Sequence, residues 1–274
     1  MNITRREFVG IAGLLGLAGC ARIEQSRLGQ LTPDLDFRKD GPLRFATLTD
    51  LHLVDSRSVG ILGRAINGIN NDETIDFVVL LGDISEHGSL QEMNLAKQAL
   101  ERLRVPHHVV PGPNDVVAGA ENSLEFYQRV FKKSQWKMPM GNWTFIGLDT
   151  SSATSPSLTL SEASLQWLDE QLAHTDQKRP LALCCHHPLA PGTKGDRLAN
   201  AEDVLARFKN HNLRLVNSGH YHGNQEEERD GILFVTTACC STTAENADPA
   251  EPKGYRVFTL DNDRIEHEFM TVPV

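Results

Sequence analysis

Four apolar runs of strand length in this chain end in acids or histidines, and that repeated arrangement restricts the fold more than any other feature. They are LRFATLTDLH (43–52), DFVVLLGD (76–83), RPLALCCHHP (179–188) and LRLVNSGHYH (213–222). VPHHVVPG and NWTFIGLD are β-rich runs of the same kind. Between several of them the apolar period lengthens from two to about 3.6 residues, which marks amphipathic helices. One helix opens at Ser89, with Glu92 completing a capping box, and aligns Ala96, Ala99, Leu100 and Leu103. A second covers SEASLQWLDEQLA, with Leu165, Leu168 and Leu172 on one face. A third runs from about Glu202 to Phe208, capped by Asn200, with Val204, Leu205 and Phe208 inward. After His222 come ILFVTTACC, GYRVFTLDN and RIEHEFMTV, three strands with no helix among them. The fold class is therefore α/β, with helices flanking two sheets in a four-layer α/β/β/α sandwich.

A length of 274 residues with 40% hydrophobic content suits one sizeable core. The balance of 27 basic against 36 acidic residues, net −9, gives no reason to expect a nucleic acid as partner. Residues 1–19 differ from the rest: a cationic start, a Gly-interrupted apolar stretch and a small-residue exit read as a signal peptide. Arg5-Arg6 resembles a twin-arginine export signal, and Leu17-Ala18-Gly19-Cys20 a lipobox, with Cys20 as the lipidated mature N-terminus. An uncleaved anchor or an ordinary leader would share this composition, although the apolar stretch is short for a spanning helix. Residues 20–41 read as a lipid-proximal linker and 42–274 as the folded domain. The expected location is the bacterial periplasm or cell envelope, with the membrane as partner through the lipid anchor. Cys184, Cys185, Cys239 and Cys240 lie in apolar strand-like runs. Export permits a disulfide staple there, but buried free thiols fit those runs better.

The polar residues that end the runs gather where open α/β sheets place their sites, beyond the carboxyl ends of the strands. Asp50 and His52 repeat the i, i+2 spacing of His220 and His222, which in a strand puts both side chains on one face. Gly82-Asp83 lets a carboxylate emerge at a tight turn, and His186 leaves its strand just before a proline. A single histidine at a strand end more often serves a hydrogen bond, and a Gly-Asp turn more often serves the backbone. Four such endings after separate strands are a different matter. Two acids and four imidazoles exceed what one tetrahedral ion requires and imply two ions sharing a carboxylate. Mixed Asp and His donors suit manganese, iron or zinc, divalent or trivalent, better than magnesium.

Asp50-Leu51-His52, Gly82-Asp83, His186-His187-Pro188 and Gly219-His220-Tyr221-His222 resemble the motifs of the calcineurin-like metallophosphoesterases. The resemblance spans residues 43 to about 240 and takes in GDISEHGSLQE, GLDTSS and QWLDEQL. It implies that Asp50, His52, Asp83 and His222 hold one ion, and that Asp83 bridges to a second held by His186 and His220. It also implies hydrolysis of a phosphomonoester or phosphodiester by a metal-activated hydroxide at a dinuclear centre. His187 and His87 could orient a ligand, reach the phosphate or face solvent. His107 and His108 suit packing, and His174, His211 and His267 read as surface residues.

The chain departs from the family at Val110-Pro111-Gly112-Pro113-Asn114-Asp115, where Gly-Asn-His-Asp or Gly-Asn-His-Glu belongs. Pro113 falls at the asparagine ligand and Asn114 at the substrate-facing histidine. In one account the loop is shifted by one residue, so that Asn114 supplies the amide oxygen and Asp115 helps as ligand or base. In the other, the second ion is held weakly and the chain is a catalytically weakened lipoprotein that binds metal and an anion.

Overall fold

The computed structural model describes residues 41–117, 123–153, 157–262 and 264–274. The proposed signal peptide, Cys20 and nearly all of the proposed linker lie outside the described residues. A compact unit runs from Asp36 to Val274, and all that follows concerns it.

The strands in chain order are β1 (Leu43–Leu48), β2 (Phe77–Leu81), β3 (His107–Val110), β4 (Trp136–Met140), β5 (Trp143–Leu148) and β6 (Leu181–Cys185). They continue as β7 (Leu213–Ser218), β8 (Gln225–Arg229), β9 (Ile232–Thr236), β10 (Gly254–Asp261) and β11 (Arg264–Thr271). The helices are α1 (Gly60–Asn71), α2 (Leu90–Leu100), α3 (Glu125–Phe131), α4 (Glu162–Ala173) and α5 (Ala201–Arg207).

One sheet has the order β11-β10-β1-β2-β3 and the other β4-β5-β6-β7-β9-β8. In the first, β1, β2 and β3 are parallel and β10 is antiparallel to β1. In the second, β5, β6, β7 and β9 are parallel, and the antiparallel β4 and β8 close its edges.

Alternation along each strand divides the apolar residues between layers. Phe45, Phe77, Val79, Phe145, Ala182, Leu215 and Phe258 fill the space between the sheets. There Phe45 stacks on Phe77 at 5.2 Å and on Phe258 at 4.8 Å, with Phe145 edge-on. Ala46, Leu48, Val78 and Leu80 point the other way, onto α1 and α2. Leu181, Leu183 and Cys185 likewise face α4 and α5. Three apolar interfaces between four layers are the α/β/β/α sandwich that the sequence predicts.

All four described cysteines are free and buried. The Ser89 capping box is present, with Glu92 N–H donating to the Ser89 side chain at 3.2 Å. Asn200 does not cap α5. Its Oδ1 accepts from the Leu160 N–H at 2.9 Å and its Nδ2 donates to the Leu160 carbonyl at 3.2 Å, so it stitches a loop to the helix instead. Among the described residues no helix is long and apolar enough to cross a membrane.

Candidate metal centre

Both sheets direct the carboxyl ends of parallel strands to one place. Asp50 and His52 follow β1, Asp83 follows β2, His186 follows β6, and His220 and His222 follow β7. The shared-face argument from strand geometry does not apply, because these pairs lie past the strand ends. Asp50, His52, Asp83, His220 and His222 instead have φ between 47° and 68°. Left-handed backbone is unfavourable for residues with a Cβ, and several such residues in one place accompany functional sites. The turns are held by backbone bonds, Asp50 N–H to the Gly82 carbonyl at 3.0 Å and His52 N–H to the Asp83 carbonyl at 2.9 Å. Glycine is needed at two contacts: a Cβ on Gly219 would collide with Thr49 Oγ1, and one on Gly82 would lie 2.7 Å from His186 Nδ1.

The side chains form two clusters, Asp50 with His52 and His222, and Asp83 with His186 and His220. Asp83 Oδ2 lies between them, 3.4 Å from His186 Nε2 and 3.8 Å from His52 Nε2. Asp50 Oδ1 is 3.2 Å from His222 Nε2 and 4.0 Å from both His52 and His186. These are distances at which one cation can be shared among donors.

The histidine tautomers are set from behind. His186 Nδ1–H donates to the Leu81 carbonyl at 2.7 Å, and His222 Nδ1–H to the Glu245 carbonyl at 2.8 Å. Nδ1 of His52 meets the Glu86 carboxylate at 2.7 Å. With Nδ1–H committed in this way, each ring turns Nε2 to the centre, where it can hold a proton or a cation. Nε2 of His52 and Nε2 of His222 are only 3.1 Å apart, and His186 Nε2 lies 3.2 Å from His220 Nδ1. Nitrogens that close need positive charge between them, a shared proton or a cation that displaces it. Asp50 Oδ2 accepts from Thr49 Oγ1 at 2.6 Å and from His220 N–H at 3.0 Å, whereas the buried Oδ1 has no hydrogen-bond partner. A buried carboxylate oxygen that lacks a well-directed hydrogen bond and faces converging imidazole nitrogens fits a metal ion.

The same field appears in the titration of the groups. Burial opposes charge on His222, but Asp50 beside it raises it to about 11. His186 is likewise opposed by burial and raised to about 9 by Asp83 and Asp50. Burial works against the Asp50 carboxylate, yet His222, His186 and His52 hold it below the usual range. His220 falls to about 4 through burial and the charge on His186, which leaves it a neutral donor.

The altered loop is a 3-10 turn, Pro113–Asp115. Asn114 N–H donates to Asp83 Oδ1 at 2.9 Å, and the Asn114 side-chain nitrogen meets His52 Nδ1 at 3.2 Å. Asn114 thus touches a member of each cluster, while its described side-chain contact is to the rear of His52. Asp115 is not brought to the centre. Its Oδ1 accepts from the Ser85 N–H at 2.9 Å and Oγ at 3.0 Å, and its Oδ2 from the Gly112 N–H at 2.9 Å. Burial and the neighbouring Asp83 raise it to about 7, so it serves as a loop clamp.

His187 is fully buried, its ring 4.4 Å from that of His220. Thr150 Oγ1 accepts from His187 N–H at 3.2 Å and lies 3.0 Å from Nδ1; when the hydroxyl donates to Nδ1 the ring hydrogen sits on Nε2, which is buried without a partner. His87 is directed elsewhere, onto Glu92 of the helix cap at 2.8 Å, with a side chain 67% exposed. His174 is exposed as expected, but His211 and His267 are partly buried, on the Leu172 carbonyl and between Arg256 and Glu226 respectively. Sequence reasoning missed Glu86. Its only signal was an acid three residues after Asp83.

Residues 43–224 match the calcineurin-like phosphoesterase family, and the chain belongs to it, a family of hydrolases that act on phosphoester bonds. A 3',5'-cyclic-nucleotide phosphodiesterase of Nostoc sp. is 25% identical over 261 residues, 85% of this chain and 95% of that protein. The 3',5'-cyclic adenosine monophosphate phosphodiesterase of Escherichia coli K12 is 26% identical over 219 residues, 72% of this chain and 76% of that one. GAP50, the anchor in the inner membrane complex of Plasmodium, has the same fold, with a TM-score of 0.61 at 18% identity over 84% of this chain and 85% of its own.

Proposed function

We propose that the protein is a metal-dependent phosphodiesterase with two cation sites, Asp50, His52, Asp83 and His222 at one and Asp83, His186 and His220 at the other. The observation that carries this reading is the convergence of imidazole nitrogens from separate strands on the buried Asp50 Oδ1 and on Asp83 Oδ2. Manganese, iron or zinc is the cation class that suits such donors. Bound there, two cations supply charge neutralisation for a phosphoryl group and acidify water toward neutrality. The chain's own part is positioning. Asp83 holds its Oδ2 between the clusters because Asn114 N–H occupies its Oδ1. Thr49 and His220 N–H fix Asp50 in the same way. In the tautomer with hydrogen on Nε2, His187 beside His220 would donate to a bound phosphoryl oxygen.

Relatives that act on 3',5'-cyclic nucleotides make a phosphodiester the favoured substrate class. Asn114 cannot protonate a leaving group as an imidazolium can, so esters of acidic alcohols react best. The test is turnover of bis(4-nitrophenyl) phosphate with manganese or zinc, beside Asp83→Ala. Turnover well above that variant supports the reading. Equal rates, with metal bound, favour the second reading: a protein that binds metal and an anion without useful catalysis. The side chain of Asn114 at the rear of His52 is what keeps that reading in view.

Export and lipidation at Cys20 are proposed from the sequence alone. Cys20→Ser should leave the folded domain intact and release it from membranes; unchanged membrane association would contradict the lipobox.

A further inference from the structure

Away from the metal centre, β3 begins against a cavity of about 360 Å³ lined by α2, β3, β4 and the end of α3. Its composition opposes that of the whole chain. Residues 129–137 (RVFKKSQWK) contain four cations and no acid, in a protein of net charge −9. Lys132 and Lys133 from this segment and Lys97 from α2 reach the cavity, with Glu101 as the one acid. Among the described residues Lys97 and Lys133 form no ion pair.

The turn that presents these lysines is unusual. Lys132 has φ 73° and ψ −58°, and Lys133 N–H donates to the Phe131 carbonyl at 2.9 Å. This is a γ-turn of the rare, strained hand, centred on a residue with a full side chain. Strain of that kind persists where the surroundings enforce it, and binding sites are where it concentrates.

The floor is aromatic and the wall is made of imidazoles. Trp136 Nε1–H is already used on the Val109 carbonyl at 2.9 Å, which leaves the indole to the cavity as an apolar surface. The ring of His108 lies 5.1 Å from that of Trp136. Among the described residues neither the His107 nor the His108 ring has a hydrogen-bond partner, although both backbones pair with β2, and burial keeps both rings neutral, His108 down at about 4. Neutral imidazoles can each donate one N–H to a ligand.

We propose that this cavity binds a small soluble organic anion with a flat aromatic body. The anionic head meets Lys97, Lys133 and the N–H of His107, which as the neighbour of His108 on β3 points to the opposite face, and the body lies against Trp136 and Phe131. The volume is at the lower end of ligand sites, about 300–1,000 Å³. Val54 and Val274 are the large hydrophobic residues exposed among the described ones, so none stands at this rim to anchor a membrane or a protein. The site is also separate from the metal centre: the four residues of β3 between them span about 13 Å.

The experiment is calorimetric titration of the full chain with naphthalene-2-sulfonate, beside inorganic sulfate and the uncharged naphthalene-2-sulfonamide. Saturable one-to-one binding of the sulfonate is expected, with the other two at least ~10-fold weaker. Lys97→Ala with Lys133→Ala should weaken the sulfonate about 5- to 30-fold, at about 0.5–1 kcal/mol per charge contact. Lys97→Glu alone should also weaken it, and Asp83→Ala should leave it unchanged. No saturable binding, equal affinity for the sulfonamide, equal affinity in the lysine variants, or loss in Asp83→Ala would each overturn the proposal.

Discussion

Glu86 holds Nδ1 of His52 with a carboxylate, whereas His186 and His222 use backbone carbonyls for the same purpose. A carboxylate makes the opposite nitrogen a stronger donor than a carbonyl does, and Glu86 is 39% exposed, so replacing it leaves the core undisturbed. Glu86→Gln is expected to weaken cation binding at the Asp50–His52–His222 cluster by about 10- to 100-fold and to leave the Asp83–His186–His220 cluster unchanged. Two-site titration with manganese or zinc checks this, and equal weakening at both clusters would count against it. Gly219 makes a second prediction. With Thr49 Oγ1 and Asp50 Oδ2 where its Cβ would sit, Gly219→Ala must displace Thr49 and the Asp50 carboxylate it holds, and metal retention should fall although the fold survives.

At the scale of elements, strand ends were legible because apolar runs stopping at acids and histidines are conspicuous, and α2 and α4 because their caps and apolar faces agree. Other elements were hidden for physical reasons. α1 (GILGRAINGINN) carries three glycines and no side-chain cap, and its helix rests on burying Ile61, Leu62, Ile66 and Ile69. β8 (QEEER) has no apolar residue, and pairing with β9 makes it a strand. β4 contains Pro139, which an edge strand tolerates. The six residues of the clusters were legible as chemistry, but the left-handed turns that aim them leave no mark in composition. β3 yields a pH prediction. Burial lowers His108 from the ordinary 6.5 to about 4 in the folded chain. As pH falls from 6.5 toward 4 the unfolded chain takes up this proton and the folded chain does not, so stability is lost across that window. His108→Gln should remove up to ~3 kcal/mol of that loss, measured by denaturant unfolding at pH 7 and pH 4.5. An unchanged pH slope would contradict a buried neutral ring.

Over the whole molecule, two sheets and the apolar layer between them bring residues from positions 50 to 222 to one centre. The layered architecture was legible because near-continuous apolar runs such as FVVLL and LALCC declare strands buried on both faces, with helical patterns between several of them to cover the sheets. How the sheets align their strand ends was not, since that depends on packing among Phe45, Phe77, Phe145 and Phe258. Because the folded centre binds a cation and the unfolded chain does not, a cation at ~100 times its Kd is expected to add about 2.7 kcal/mol and raise Tm by roughly 5–10 °C. The most direct test is metal content per chain after loading with manganese or zinc and desalting. Two ions per wild-type chain, one in His52→Ala and almost none in Asp83→Ala is the predicted result; at most one ion in the wild type, or two retained in Asp83→Ala, would contradict a centre built around a shared carboxylate.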